Sequence, residues 1–95
     1  MELTRETKII RVKGVLQAKL GIGKVALLSP GSELYYGLEG SGSEIWDLIQ
    51  GETTIGEISD SLTQNHEVDP NVCLADIIEF VTELLDEELV YVADT

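Results

Sequence analysis

The chain has 95 residues, 43% of them hydrophobic, so it can form one domain with a single core but not two. Its one cysteine, Cys73, cannot form a disulfide within the chain, and no Cys and His residues have metal-ligand spacing, so we expect no metal and no cofactor. The sequence has no secretory signal and no apolar run near the roughly 20 residues of a membrane span, and we therefore expect a cytoplasmic protein without a membrane partner.

Charge is distributed very unevenly along the sequence. The net charge is −12, yet all six basic residues precede Val25 and give residues 1–24 a net charge of +4. Residues 25–95 carry 16 carboxylates and no Lys or Arg. Such a surface repels phosphate groups, so we expect no nucleic-acid partner, whereas neutral or cationic peptides and proteins are acceptable partners. The alternative is that the acidity serves solubility alone.

The first third of the sequence predicts β-strands. Residues Lys8–Lys13 are β-branched, Lys24–Ser29 is a short apolar run, and Glu33–Leu38 is rich in aromatic residues. Pro30 and Gly31 between the last two runs are typical of a hairpin turn. The segment 15–20 is either a loop or an extension of the first strand. We expect a three-stranded antiparallel sheet with Glu33–Leu38 as an edge strand.

Three helices follow, each with a recognisable start. The first two begin with a hydroxyl residue followed three positions later by Glu, which is capping-box spacing, and the third begins with an Asp-Pro pair. These starts are Ser41 with Glu44, Thr54 with Glu57, and Asp69 with Pro70. We expect the first helix to end at Gly51 and the third near Glu88, before a short terminal strand at Leu89–Val92.

The resulting order predicts an α+β, winged-helix-like fold in a single domain of residues 1–95, with residues 1–7 flexible. Winged helices often bind DNA. The third helix, however, presents acidic residues and no basic one, so it lacks the contacts that supply most DNA affinity.

The third helix is asymmetric around its axis. Its apolar stripe is centred on Leu74 and Val81 and comprises Leu74, Ile77, Ile78, Val81, Leu84 and Leu85. Cys73 and Phe80 lie on one shoulder of the stripe, next to the carboxylates of Asp76 and Glu83. This pattern indicates either one wall of a groove or a phenylalanine that fills a corner of the core.

Catalysis has little support in the residues present. His66 is the single imidazole, and Cys73, a nucleophile that could pair with it, lies beside the apolar stripe, so we expect no enzymatic activity. The triplet Asp60-Ser61-Leu62 allows one alternative function, an acidic carrier protein modified on Ser61. In acyl carrier proteins, however, that serine lies at the start of a helix, and here it falls near the end of one.

The order and spacing of four segments are typical of a known family: Leu34–Ile49, Gly51–Ile58, Val68–Pro70 and Asp76–Leu84. Through them, residues 8–92 resemble the PqqD family and the RiPP recognition elements, which bind precursors of ribosomally synthesised, post-translationally modified peptides. As a chain without an enzyme domain, it is most similar to the discrete leader-binding proteins of lasso-peptide biosynthesis.

The resemblance implies a non-catalytic adaptor that binds the leader segment of a precursor peptide by strand addition. It also implies delivery of that leader to a separate leader peptidase and a cyclase. The peptide-binding residues it implies are Glu33, Leu34, Tyr35, Tyr36, Gly37 and Leu38 on the edge strand, with Cys73, Asp76, Ile77, Phe80 and Glu83 on the third helix.

Two points about this implied site remain open at the level of sequence. Tyr35 and Tyr36 point to opposite faces of the strand, so at most one lines the groove directly. Several relatives place Lys or Arg on the third helix to meet an acidic leader, and this helix has neither. The leader bound here is therefore expected to differ in charge.

Overall fold

A computed structural model describes residues 2–31 and 35–93. Within them, six strands and three helices follow one another: β1 (Lys8–Arg11), β2 (Leu16–Gly21), β3 (Lys24–Leu28), β4 (Tyr35–Glu39), α1 (Ser41–Leu48), β5 (Thr53–Thr54), α2 (Ile55–Asn65), α3 (Pro70–Asp86) and β6 (Val90–Val92). The predicted α+β class, with strands first, then three helices and a terminal strand, is confirmed. No helix in the described part of the chain is long and apolar enough to cross a membrane.

The strands form two antiparallel sheets of three strands each within the described residues. One is the meander β2-β3-β4, and the other has the order β5-β1-β6. The expected first strand of the meander is therefore the centre of the second sheet, where Ile9 pairs with Thr53 on one side and Val92 on the other. Its place in the meander is taken by Leu16–Gly21, whose side chains are all exposed. Leu16, Ala18 and Leu20 alternate with Gln17 and Lys19, which is a strand pattern, so the expectation of a loop or an extension of the first strand was wrong.

In the described structure β4 pairs with β3 alone, so its other side is a free edge, as predicted. The strand begins at Tyr35, and the expected positions Glu33 and Leu34 lie outside the described residues. Alternation along β4 places Tyr36 and Leu38 on the side of the core, opposite the buried Leu27 and Val25 of β3.

The predicted caps of α2 and α3 are confirmed. The Thr54 hydroxyl accepts a hydrogen bond from the Glu57 amide at 3.1 Å. The Asp69 carboxylate accepts one from the Asn71 amide at 2.8 Å and one from the Val72 amide at 3.3 Å. These side chains satisfy amides at the helix starts that have no partner within the helix.

The predicted capping box of α1 is wrong. Ser41 is the first helical residue, and Gly40 is the cap, with φ 62° and ψ −129° and no side-chain hydrogen bond. This positive φ lets the chain turn sharply from β4 into α1, and a residue with a Cβ would adopt it only under strain. The helix also ends at Leu48, before Gly51.

The first residues of the chain contact α2. The Gly56 amide donates to the Arg5 carbonyl at 2.9 Å, and the Ile55 amide donates to the Thr7 carbonyl at 3.0 Å. The Arg5 guanidinium also lies 3.1 Å from the Asp60 carboxylate. These contacts involve the segment that the sequence led us to expect as flexible.

The core lies between the meander, the three helices and β1. On α3 the buried residues are Cys73, Ile77, Val81 and Leu84. Leu74, the expected centre of the stripe, is half-buried, so the buried stripe is rotated towards Cys73. The apolar face of α3 is wider than one contact surface, so the neighbouring elements decide which part of it lies deepest.

Because α3 buries Ile77 more deeply than Leu74, truncating these two side chains is expected to lower the free energy of unfolding by different amounts. Ile77→Ala removes a side chain that is 1% exposed and is expected to lower the free energy of unfolding by about 2–5 kcal/mol. Leu74→Ala removes a half-buried side chain and is expected to cost about 1–2 kcal/mol. Urea unfolding of both variants tests the assignment, and an equal or larger loss for Leu74→Ala would contradict it.

Candidate functional site

A hydrogen bond joins the edge strand to the third helix. The Tyr36 hydroxyl on β4 donates to Glu83 Oε2 on α3 at 2.8 Å. Burial of the ring, followed by the hydrogen bond to Glu83 and the charges of Glu83 and Glu87, raises the pKa of Tyr36 to about 12. The phenol is therefore protonated at neutral pH, where it can donate this hydrogen bond. Tyr36 thus faces α3, and the question of which tyrosine does so is decided by the structure.

Phe80 lies where β4, α1 and α3 meet. Its side chain is half-buried, and its ring approaches α1 so closely that a Cβ built on Gly42 would lie 3.3 Å from Cε1 of Phe80. The same position on Gly42 is 3.8 Å from Leu38 on β4. The missing side chain at Gly42 therefore allows the ring to pack against the first turn of α1.

Carboxylates surround the exposed part of Phe80. Asp76, Glu79, Phe80 and Glu83 line a shallow depression of about 250 Å³ on α3. The three acidic residues are exposed and carry no described salt bridge. Their charge makes this part of α3 more favourable for a cationic group than for an anionic one.

A larger cavity of about 560 Å³ lies between the start of α1, the end of α2 and the first half of α3. It is lined by Gly40, Ser41, Glu44, Ile45, Leu62, His66, Val68, Cys73, Asp76 and Ile77. Five of these side chains are apolar, while those of Ser41, Glu44, His66 and Asp76 are polar. Since Asp76 also borders the depression around Phe80, the two concave regions adjoin along α3.

One side-chain hydrogen bond borders this cavity. His66 Nε2 lies 2.9 Å from Glu44 Oε2, which connects the end of α2 to α1. Sequence reasoning considered His66 only as a catalytic base and assigned Glu44 to a cap. The two residues are 22 positions apart, so no local pattern indicated their contact.

The sequence-derived site residues thus fall into three groups. Tyr36, Leu38, Asp76, Phe80 and Glu83 lie where β4 and α3 face each other. Cys73 and Ile77 are 6% and 1% exposed and line the larger cavity as part of the core. Tyr35 is 68% exposed on the opposite side of the sheet from α3, and Gly37 shares its side of the strand.

Two other functions considered from the sequence, metal binding and modification of Ser61 as in a carrier protein, have no matching arrangement of residues in the described structure. No group of three His, Cys, Asp or Glu residues that could hold a metal ion occurs within the described ranges. Ser61 is the seventh residue of α2 and half-buried, so it does not have the helix-start position typical of a carrier protein.

A protein-family model matches the part of the chain that contains this site. The model described as coenzyme PQQ synthesis protein D (PqqD) matches residues 24–90, which include β3, β4 and all three helices. The chain belongs to the PqqD family. The PqqD match thus spans both the free edge of β4 and the acidic side of α3, which are the parts that form the site.

Two solved structures are similar to this PqqD-family chain. TbiB1 in complex with the TbiA(beta) leader peptide has 29% identity and a TM-score of 0.76, covering 90% of this chain and 99% of the other. The PqqD truncation of Methylobacterium extorquens PqqCD, a stand-alone RiPP recognition element solved by NMR, has 22% identity and a TM-score of 0.78, covering 95% of each chain. A search of curated proteins gave no match. The chain is therefore a PqqD-like domain with the fold of a RiPP recognition element.

The Tyr36–Glu83 contact predicts a pH dependence at alkaline pH. The pKa of Tyr36 is raised in the folded state, to about 12, from the ordinary value of 10. Ionisation therefore favours the unfolded chain, so the stability from this phenol is complete below pH 10 and is lost as the pH rises towards 12. Tyr36→Phe is expected to flatten this alkaline loss in urea unfolding, and an unchanged profile would contradict it.

Proposed function

We propose that this chain is a non-catalytic adaptor that binds the leader segment of a ribosomally synthesised precursor peptide. The observation that carries the proposal is the free edge of β4 lying beside an acidic, partly apolar face of α3. Its support from related proteins is membership of the PqqD family and likeness to TbiB1, which was solved with a leader peptide.

In the proposed mode, the leader adds to β4 as a fourth strand of the meander. The unpaired backbone N–H and C=O groups of β4 would bond to the main chain of the peptide, which gives affinity with little dependence on peptide sequence. The expected edge residues Glu33 and Leu34 are part of this proposal, together with Tyr35–Leu38. Specificity would then come from the side chains that α3 presents beside the edge.

The side chains of α3 favour a leader with basic residues near Phe80. Asp76, Glu79 and Glu83 surround the ring, and a Lys or Arg there would meet both the carboxylates and the aromatic face. An acidic leader would be repelled. The adjoining 560 Å³ cavity, with Cys73 and Ile77 in its lining, would accept an apolar side chain of the same peptide.

Delivery of the bound leader to other proteins is the second part of the proposal. The resemblance to the discrete leader-binding proteins of lasso-peptide biosynthesis supports a separate leader peptidase and a cyclase as the recipients. In this scheme the adaptor itself performs no chemistry. Its contribution is to raise the local concentration of the precursor beside the enzymes.

Strand addition predicts a specific change in hydrogen exchange. On addition of a synthetic candidate leader peptide with basic residues, amides of Tyr35–Glu39 that face away from β3 are expected to gain protection. Amides of α2 are expected to change little and serve as the internal control. Protection confined to the helices would contradict strand addition.

Phe80 provides a second test, because it contacts both the core and the proposed groove. Phe80→Ala is expected to weaken leader binding by one to two orders of magnitude, or about 1.4–2.8 kcal/mol, as for an anchor contact. The matched control is Ile78→Ala, which removes another half-buried side chain from a different side of α3. Calorimetric titration and thermal unfolding of both variants separate binding from stability. Equal leader affinity in the folded Phe80→Ala and Ile78→Ala proteins would remove Phe80 from the site.

A further inference from the structure

The meander has helices on one face and no described element on the other. On the inner face Val25, Leu27 and Leu38 are 4%, 0% and 5% exposed, which places the core there. Pairing across the strands assigns the alternate residues to the outer face. Although that face is open, it is mostly apolar, and two of its large side chains, Leu16 and Tyr35, are 63% and 68% exposed.

The residues of the outer face form three rows across the strands. The first row is a ridge of large apolar side chains, Leu16, Leu28 and Tyr35, and the second is a trough of small residues, Ala18, Ala26 and Gly37. The third contains Lys24 and Glu39. No atom lies within 4 Å of the position that a Cβ on Gly37 would occupy, so the space above the trough is open at that strand.

Charge sets this face apart from the rest of the protein. Among the described carboxylates, Glu39 is the one on the three rows, and it lies 4.0 Å from the Lys24 ammonium. The ridge and the trough carry no charge. Any association of two molecules with net charge −12 is opposed by repulsion between their acidic surfaces. When two copies meet through this face, the carboxylates of α2 and α3 lie on the opposite side of each molecule, away from the contact.

We propose that the outer face of the meander binds the same face of a second copy of this chain. A two-fold axis running across the strands, between the ridge and the trough, places each ridge in the trough of the other copy. Leu16 then lies over Ala18, Leu28 over Ala26 and Tyr35 over Gly37, while the Lys24–Glu39 row remains in solvent at both ends. The strands of the two sheets are nearly aligned, as in a β-sandwich.

The size of the face sets the strength of this dimer. Three strands about 4.8 Å apart, with about 3.4 Å per residue along the three residues that span ridge and trough, give a contact surface of roughly 14 by 10 Å. This is smaller than the roughly 800 Å² per partner of a standard interface, so the dimer is weak and depends on concentration. The free edge of β4 lies in the plane of its sheet and stays accessible in each copy.

The test is the oligomeric state of the full chain without any peptide. Sedimentation equilibrium from about 10 μM to about 1 mM is expected to show a monomer–dimer equilibrium within that range of dissociation constants. Raising the NaCl concentration from about 0.05 M to about 0.5 M is expected to strengthen the dimer, because salt screens the repulsion between the two acidic copies.

Two lysine substitutions locate the interface. Leu16→Lys places a charge on the ridge and is expected to raise the dissociation constant at least tenfold, although it lowers the net negative charge and with it the general repulsion. The matched control is Ile22→Lys, in the fully exposed turn between β2 and β3, which makes the same change in charge outside the three rows. Its dissociation constant is expected to stay within about threefold of the parent.

Two results would overturn the proposal. One is a wild-type chain that remains monomeric at the highest concentration and salt. The other is a dimer weakened equally by both substitutions. Far-UV circular dichroism of the variants establishes that they are folded, and neither outcome depends on whether the chain binds a leader peptide.

Discussion

The unpaired edge of β4 is the constraint on which the proposed function depends. Every backbone N–H and C=O group needs a hydrogen-bond partner, and those on this edge find none within the described structure. Water satisfies them in the free protein, and a peptide strand would satisfy them with better-aligned partners. The rest of the fold determines what lies beside that edge, namely α3 with its acidic and aromatic side chains.

The position of α3 follows from the burial of one of its faces. Ile77, Val81 and Leu84 are at most 1% exposed, so the helix is fixed against the core by side chains that cannot move without opening cavities. That fixed position directs Glu83 towards Tyr36 and Phe80 towards Gly42. One set of residues on this helix thus packs in the core, and the adjacent set lines the depression around Phe80.

The basic residues and the carboxylates beside Phe80 also differ in the contacts they make. The basic residues occur before Val25, and several of them pair with acids elsewhere, as Arg5 does with Asp60 and Lys8 with Glu52. The Arg11 side chain instead lies over the Trp46 ring, with its guanidinium carbon 4.1 Å from the ring centroid, and burial lowers its pKa. The described carboxylates beside Phe80 have no such ion pairs, so their field acts on the depression around its ring.

The sequence by itself determined the local features. Cap residues at Thr54 and Asp69, the edge strand predicted up to Leu38 and the apolar face of α3 are short-range patterns, and each follows from the chemistry of a few neighbouring residues. The family resemblance rested on the spacing of these same patterns. It supplied the candidate residues on β4 and α3, including Tyr36, Phe80 and Glu83.

Only the tertiary structure decided how these pieces meet. The partners of β1, the rotation of α3 that buries Cys73 in preference to Leu74, and the His66–Glu44 pair all depend on residues far apart in the chain. A wide apolar helix face such as that of α3 does not specify which side lies deepest. Those choices follow from the packing of the whole domain, because the burial of each element depends on all of its neighbours.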